Sequence, residues 1–163
     1  MGPEYFTTLQ PKHSRITWGG VEGVLAADTV GFIRDVPPEI VEAFHATLAE
    51  VKHSDAIIFV IDAAEPLSDI EEKLHAGIDT LARIGALSAP MIIAANKVDA
   101  LQPPDLGERL AFIEREASIL PHKPPVIPIS AKTGWGVDRL VRSISTIVNG
   151  RRLENLPEPG LRD

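Results

Sequence analysis

Asn96-Lys97-Val98-Asp99 follows directly on the apolar run Met91-Ile92-Ile93-Ala94-Ala95. A carboxylate at Asp99, on a loop at the end of such a run, can accept from two adjacent N–H donors at once. Guanine presents that pair and adenine does not, so the site would reject adenine by leaving polar groups unpaired. Four polar residues also make an ordinary surface turn, and alone they are weak evidence. Ser130-Ala131-Lys132-Thr133-Gly134 follows a second apolar run, Val126-Ile127-Pro128-Ile129, and begins 34 residues after Asn96. Alone, Ser130 reads better as a helix cap. Asp28-Thr29-Val30-Gly31 follows a third run at Val24, and Thr8 stands 20 residues before Asp28. An Asp at a strand end and a lone threonine are each common; their order along the chain makes them worth naming.

Together these segments resemble the N-K-x-D, S-A-K, D-x-x-G and switch I motifs of GTPases, in the order in which such enzymes carry them. The resemblance implies that Asp99 reads guanine, that Asn96 braces neighbouring loops and that the Lys97 stem lies along the base. It implies that the backbone N–H of Ala131, within Ser130-Ala131-Lys132, meets the guanine carbonyl. Thr8 and Asp28 would serve Mg²⁺, an ion that keeps several waters and takes few protein ligands, and the Gly31 N–H would sense the γ-phosphate. The stretch from Asp28 through Gly31-Phe32-Ile33-Arg34-Asp35-Val36-Pro37-Pro38 to Val41-Glu42-Ala43-Phe44 is far more specific. It resembles the signature of HflX-type GTPases, and Thr47-Leu48 and Val60-Ile61-Asp62-Ala63 extend the match to roughly residues 5 to 148. Gln10 and His45 depart from the residues common in that family. Phe32 stands where many small GTPases place a water-orienting Gln. A phenyl ring cannot orient water, so the resemblance implies slow intrinsic hydrolysis or a catalytic group from elsewhere; Phe32 can also simply anchor a loop by packing.

The elements that must position these loops alternate between short apolar strands and amphipathic helices. Ile16-Thr17-Trp18 and Val24 to Ala27 read as strands around the turn signal Gly19-Gly20, and so as a hairpin. Pro37-Pro38-Glu39 opens a helix with Ile40, Val41, Phe44, Leu48 and Val51 on its apolar face. The runs at Ala56–Ile61 and Met91–Ala95 read as buried parallel strands. Ser68-Asp69-Ile70-Glu71 has the capping-box pattern, before a helix burying Ile70, Leu74, Ile78 and Leu81. Asp105 is expected to cap the helix of Leu106, Leu110 and Ile113. Pro128 places the last strand at an edge, and a final helix carries Val137, Leu140, Val141, Ile144 and Val148. This alternation predicts an α/β fold with three layers, a mostly parallel sheet between helices, of the P-loop NTPase kind. Ligands then bind beyond the carboxyl ends of the strands, where the motifs stand. Residues 1–150 read as one G domain and 151–163 as a tail or linker.

A P-loop, G-x-x-x-x-G-K-[ST], precedes switch I in these enzymes, yet no Gly-Lys pair occurs in this chain. Seven residues precede Thr8, too few for a strand, a loop and a helix. The expectation is a G domain without its first strand, P-loop and first helix. The nest of N–H groups, a lysine and one Mg²⁺ ligand go with them. In related folds the absent strand lies between those at Val24 and Ala56, leaving a gap of roughly 10 Å, twice the strand spacing. The sheet could close up, another segment could fill the slot, or a second molecule could pair there; a piece of a longer protein, completed by exchange or by a partner, is the favoured expectation.

The chain has 163 residues, 44% of them apolar and 24% charged, which suits one globular domain. With no cysteine, disulfides and thiolate metal sites are excluded. No apolar run is long enough for a membrane span and no signal peptide is evident, so a cytoplasmic setting is expected. A net charge of −7 predicts no direct DNA binding. Ribosome contact, which the resemblance implies for the complete protein, would need a local basic patch; Lys12 to Arg15 and Arg151-Arg152 are small ones. Three roles remain open. The chain reads as part of a GTPase, as a degenerate module that binds guanine nucleotide or a protein without catalysis, or as a piece that works only when complemented. In each, GTP or GDP with Mg²⁺ is expected of the complete domain, and this chain alone is expected to bind nucleotide weakly or not at all.

Overall fold

A computed structural model describes residues 12–18, 21–28 and 51–154. Thr8, Gly31, Phe32, most of the HflX-like signature and Leu156 to Asp163 lie outside the described residues. The first two strands, β1 (Lys12–Trp18) and β2 (Val21–Asp28), pair antiparallel from Lys12↔Asp28 to Trp18↔Val21, with an irregularity between Ile16 and Trp18. The hairpin is as expected, with longer arms than the apolar residues alone indicate. Backbone pairing does not require apolar side chains, so Lys12 to Arg15 join it.

The second sheet is parallel. Strand β3 (Ile57–Asp62) pairs with β4 (Met91–Asn96) from Ile57↔Met91 to Asp62↔Asn96. Strand β5 (Val126–Pro128) pairs with β4 on the other side, from Ile93↔Val126 to Ala95↔Pro128. Central β4 is buried from Met91 to Ala95, which is why it reads as an unbroken apolar run. Pro128 closes edge strand β5, where a missing N–H costs little.

Each face of this sheet has its own core. Phe59, Ile61, Ile93 and Ala95 pack with Ile70, Leu74 and Leu81 of α1 (Leu67–Arg83) and with Ile113 and Ala117 of α2 (Pro103–Ser118). On the opposite face Ile92, Ala94, Ile127 and Ile129 meet Leu140, Ile144 and Val148 of α3 (Val137–Glu154). Burying each of the larger of these side chains stabilises the fold by about 1.5–3 kcal/mol. The three layers of the expected α/β fold are present.

Two helix starts differ from expectation. Helix α1 begins at Leu67 behind Pro66, so Ser68 lies inside the first turn and caps nothing as a boundary residue. The Pro66 carbonyl instead accepts from the N–H groups of Asp69 and Ile70, at 3.0 and 3.1 Å. Helix α2 begins at Pro103 behind Gln102, so Asp105 sits in the first turn, where its charge suits the helix dipole, and does not cap. In both cases the preset φ of a proline fixes the boundary: Pro66 stands at the N-cap, and Pro103 at the first helical position, where it has no N–H that needs a cap. Helix α3 runs past residue 150 to Glu154.

Among the described residues, β2 is not paired with β3. The sheet has not closed up where the gap is expected. On the α3 side of β3, Val60 stands level with Ala94 and Ile127, both buried, yet is 60% exposed.

Candidate functional site

Strands β4 and β5 end side by side, and their register places Asn96 next to the turn after β5. Ala95 and Ile129 continue the ladder, with the Ile129 N–H 2.8 Å from the Ala95 carbonyl. The chain then turns at Lys97, whose φ of 68° lies in the left-handed region that side chains rarely adopt. A single 3₁₀ turn, Val98–Ala100, follows. The buried Val98 side chain anchors it, and the Val98 N–H reaches the Ile129 carbonyl at 3.3 Å.

Ser130 is the buried polar residue of the site, and its hydroxyl ties two loops together. Ser130 Oγ donates to Asp99 Oδ1 at 2.8 Å and accepts from the Thr133 N–H at 3.2 Å. Asn96 Oδ1 accepts from the Ala131 N–H at 3.0 Å. Ser130 N–H donates to the Trp135 carbonyl at 2.9 Å, and the Gly134 N–H returns to the Ser130 carbonyl at 2.8 Å. Asn96, Asp99, Ser130 and Ala131, separated by up to 35 residues in sequence, thus form one bonded cluster. Asp99 is exposed, with one carboxylate oxygen oriented by Ser130. Lys132 is exposed on the same loop. The Ala131 N–H, expected to meet a guanine carbonyl, is occupied by Asn96 here, so a base would have to share or displace that bond.

Gly136 closes the loop. Its φ is +76°, and a Cβ added there would lie 2.3 Å from the Pro128 carbonyl oxygen. Only glycine lets the chain pass so close to the end of β5.

Lys97 makes a contact that motif reading does not supply. Its Nζ lies 2.7 Å from Oδ2 of Asp62, the last residue of β3. The bond to Asp62 and its negative charge raise the Lys97 pKa above its usual 10.5, with smaller contributions from Glu65 and Asp99. The signal available in the sequence was a carboxylate closing a parallel strand, but pairing it with Lys97 requires the β3–β4 register. Beside it a concavity of about 300 Å³ runs along the outer side of β3, bounded by Phe59, Asp62, Lys73, Asn96 and Lys97.

The residues expected to serve Mg²⁺ are not brought into view. Thr8 lies outside the described residues, and of Asp28 only the backbone is described, at the end of β2. No cluster of three His, Asp or Glu side chains suited to a metal occurs among the described residues. No helix of the described residues is long and apolar enough to cross a membrane.

The family model described as "50S ribosome-binding GTPase" matches residues 1–97. The GTPase HflX of Hyperthermus butylicus is 48% identical over 153 residues, which are 93% of this chain and 40% of that protein. The GTPase HflX of Escherichia coli is 35% identical over 147 residues, 90% of this chain and 32% of its own. A GTP-binding protein from Sulfolobus solfataricus, solved in complex with GDP, superposes with a TM-score of 0.77 at 34% identity, over 86% of this chain and 45% of that one. The chain therefore spans less than half the length of these relatives. With the motif order, the sheet topology and the bonded loops at its carboxyl edge, these matches establish that the chain belongs to the 50S ribosome-binding GTPase family and is of the HflX type.

Proposed function

We propose that this chain carries the base-reading half of an HflX-type GTP-binding domain, with guanine nucleotide as its ligand. The observation that supports it best is the Ser130–Asp99 bond, which orients an exposed carboxylate at the carboxyl edge of a parallel sheet. Such a carboxylate accepts the two adjacent N–H groups of guanine and leaves adenine mismatched. In this reading Lys97 lies along the base, while Asn96, Ser130, Ala131 and Lys132 shape the pocket. Gly31 attends the γ-phosphate, and Thr8 and Asp28 hold Mg²⁺, which would neutralise phosphate charge in the complete domain. GTP hydrolysis and association with the ribosome belong to the complete protein, in a cytoplasmic setting.

Because the sequence contains no Gly-Lys pair, it offers no P-loop lysine for the phosphates. Alone, the chain binds GDP or GTP weakly or not at all and does not turn GTP over. That same absence favours the second reading, a non-catalytic G-domain module that engages a protein partner or a second copy through the outer side of β3. Titration with a fluorescent GDP analogue in Mg²⁺, with ATP as competitor, tests the proposal. Weak binding displaced by GDP but not ATP supports base reading. Equal displacement by both refutes it. Tight binding would mean that a phosphate site forms without a P-loop, and would refute the half-site description.

A further inference from the structure

Lys97 has the longest and freest side chain on the base-reading turn, and it is 58% exposed. An ammonium on four methylenes would ordinarily sweep through solvent, at a cost in ordering entropy on binding. Here it is tethered. Asp62 is half-buried, and both its carboxylate oxygens are engaged: Oδ2 holds Lys97 Nζ at 2.7 Å, and Oδ1 accepts from the Ala64 N–H at 2.9 Å. The second bond orients the carboxylate that makes the first. Asp62 and Asn96 are also register partners, and the Ala63 N–H donates to the Asn96 carbonyl at 2.9 Å. Of the other nearby acids, Glu65 pairs with Lys73 and Asp99 takes the Ser130 hydroxyl, so Asp62 is the group that determines where Lys97 points.

We infer that Asp62 is a positioning residue for base recognition: by tethering Lys97 it sets the left-handed turn from Asn96 to Asp99 before nucleotide arrives. This rests on the base-reading function proposed above. Nucleotide does not have to build the turn, because β3 already holds it from one side and Ser130 from the other. Asp62 acts through Lys97.

The test uses the full chain and the variants D62N, D62E, K97M and D62N/K97M, each checked for folding by circular dichroism. NMR titration of the Lys97 side chain should show its raised pKa falling in D62N and recovering in D62E. Amide exchange at Val98 and Ala100 should speed up by about two- to fivefold in D62N, the range of an exposed ion pair, and D62N should add nothing once K97M is present. An unchanged Lys97 titration in D62N, or equal effects of D62N with and without Lys97, would overturn the inference. Guanosine and adenosine at millimolar concentration, monitored at the Asp99 and Ala131 amides, separate the two layers. Guanine-selective shifts that weaken in D62N support positioning for recognition. A wild-type chain with the coupling intact but no preference for guanosine sinks the base-reading function, and leaves Asp62 a clamp within the fold only.

Discussion

Gly136→Ala should damage the fold far more than Gly134→Ala, although both glycines have positive φ within one loop. A non-glycine residue in the left-handed region costs about 1–2 kcal/mol. At Gly134, where φ is +84° and nothing lies within 4 Å of an added Cβ, that is nearly the whole cost. The lower backbone entropy of unfolded alanine returns about 0.4–1 kcal/mol, leaving roughly 1 kcal/mol. At Gly136 the new methyl meets the Pro128 carbonyl oxygen at 2.3 Å. The obstacle is backbone at the end of a strand, followed by an Ile129 N–H bonded to Ala95, and cannot rotate away as a side chain would. Forcing room in a packed site adds about 1–3 kcal/mol, so Gly136→Ala should cost about 2–4 kcal/mol in all. Urea unfolding followed by circular dichroism would measure both variants. With a slope of about 1–3 kcal/mol/M, the two midpoints should differ visibly. The loop displaced in Gly136→Ala carries Trp135, which is 54% exposed and whose carbonyl holds the Ser130 N–H. Its fluorescence should therefore also shift in the folded state. Equal destabilisation by the two substitutions would refute the reasoning, because the contact with Pro128 would then contribute nothing.

Ser130→Ala removes a buried hydroxyl with two partners, and should cost about 1–2 kcal/mol in the same urea assay; a change within error would show that the cluster is incidental. Ile113→Ala, fully buried between α2 and the sheet, should cost about 2–5 kcal/mol. Val60→Ala should shift stability by no more than about 0.5 kcal/mol, since the side chain is largely exposed. A large loss at Val60 in dilute solution would mean that something covers that face. The raised Lys97 pKa predicts an alkaline limb. Its stabilising contribution is fully present below the unfolded value of 10.5 and is lost as pH rises through the higher folded value. Asp62→Asn should flatten that limb in urea midpoints measured across the transition, and an unchanged limb would assign it to other groups.

The parallel sheet was legible because β3 and β4 carry unbroken apolar runs, Ile57–Ile61 and Met91–Ala95, of which β4 is buried between helices and β3 in part. The hairpin was legible as a hairpin but not in its extent, since the arm from Lys12 to Arg15 forms by backbone pairing that leaves no apolar trace. The misplaced helix starts share a cause. Ser68 and Asp105 have the residue types of caps, but Pro66 and Pro103 fix the backbone two residues earlier. At the site, motif chemistry pointed to Asn96, Asp99, Ser130 and Ala131, and the fold brings them within hydrogen-bonding distance of one another. It could not reveal that Asn96 takes the Ala131 N–H, or that Asp62 tethers Lys97. Both contacts depend on how strands far apart in sequence align, and composition and periodicity carry no register between separate strands.

The distribution of these bonds bears on whether half a nucleotide site can stand. Among the described residues, the loops at Asn96–Asp99 and Ser130–Gly136 hang on β4, β5 and one another. Their apolar anchors are Val98, Ile127 and Ile129, all buried. Among the described residues, the side facing the outer edge of β3 contributes one side-chain tie to them, from Asp62 to Lys97. The outer edge of β3 and the exposed Val60 therefore lie away from the described bonds that shape Asp99. Under the proposed function, weak phosphate contacts would lower affinity without unmaking these loops, because among the described residues the bonds that build them run within β3, β4, β5 and the loops themselves. It follows that selectivity and affinity should separate in this chain. On the proposed function, a guanine preference carried by Asp99 and Ser130 should survive at whatever concentration binding becomes measurable, and its abolition by Ser130→Ala without loss of the fold would locate that preference in the cluster.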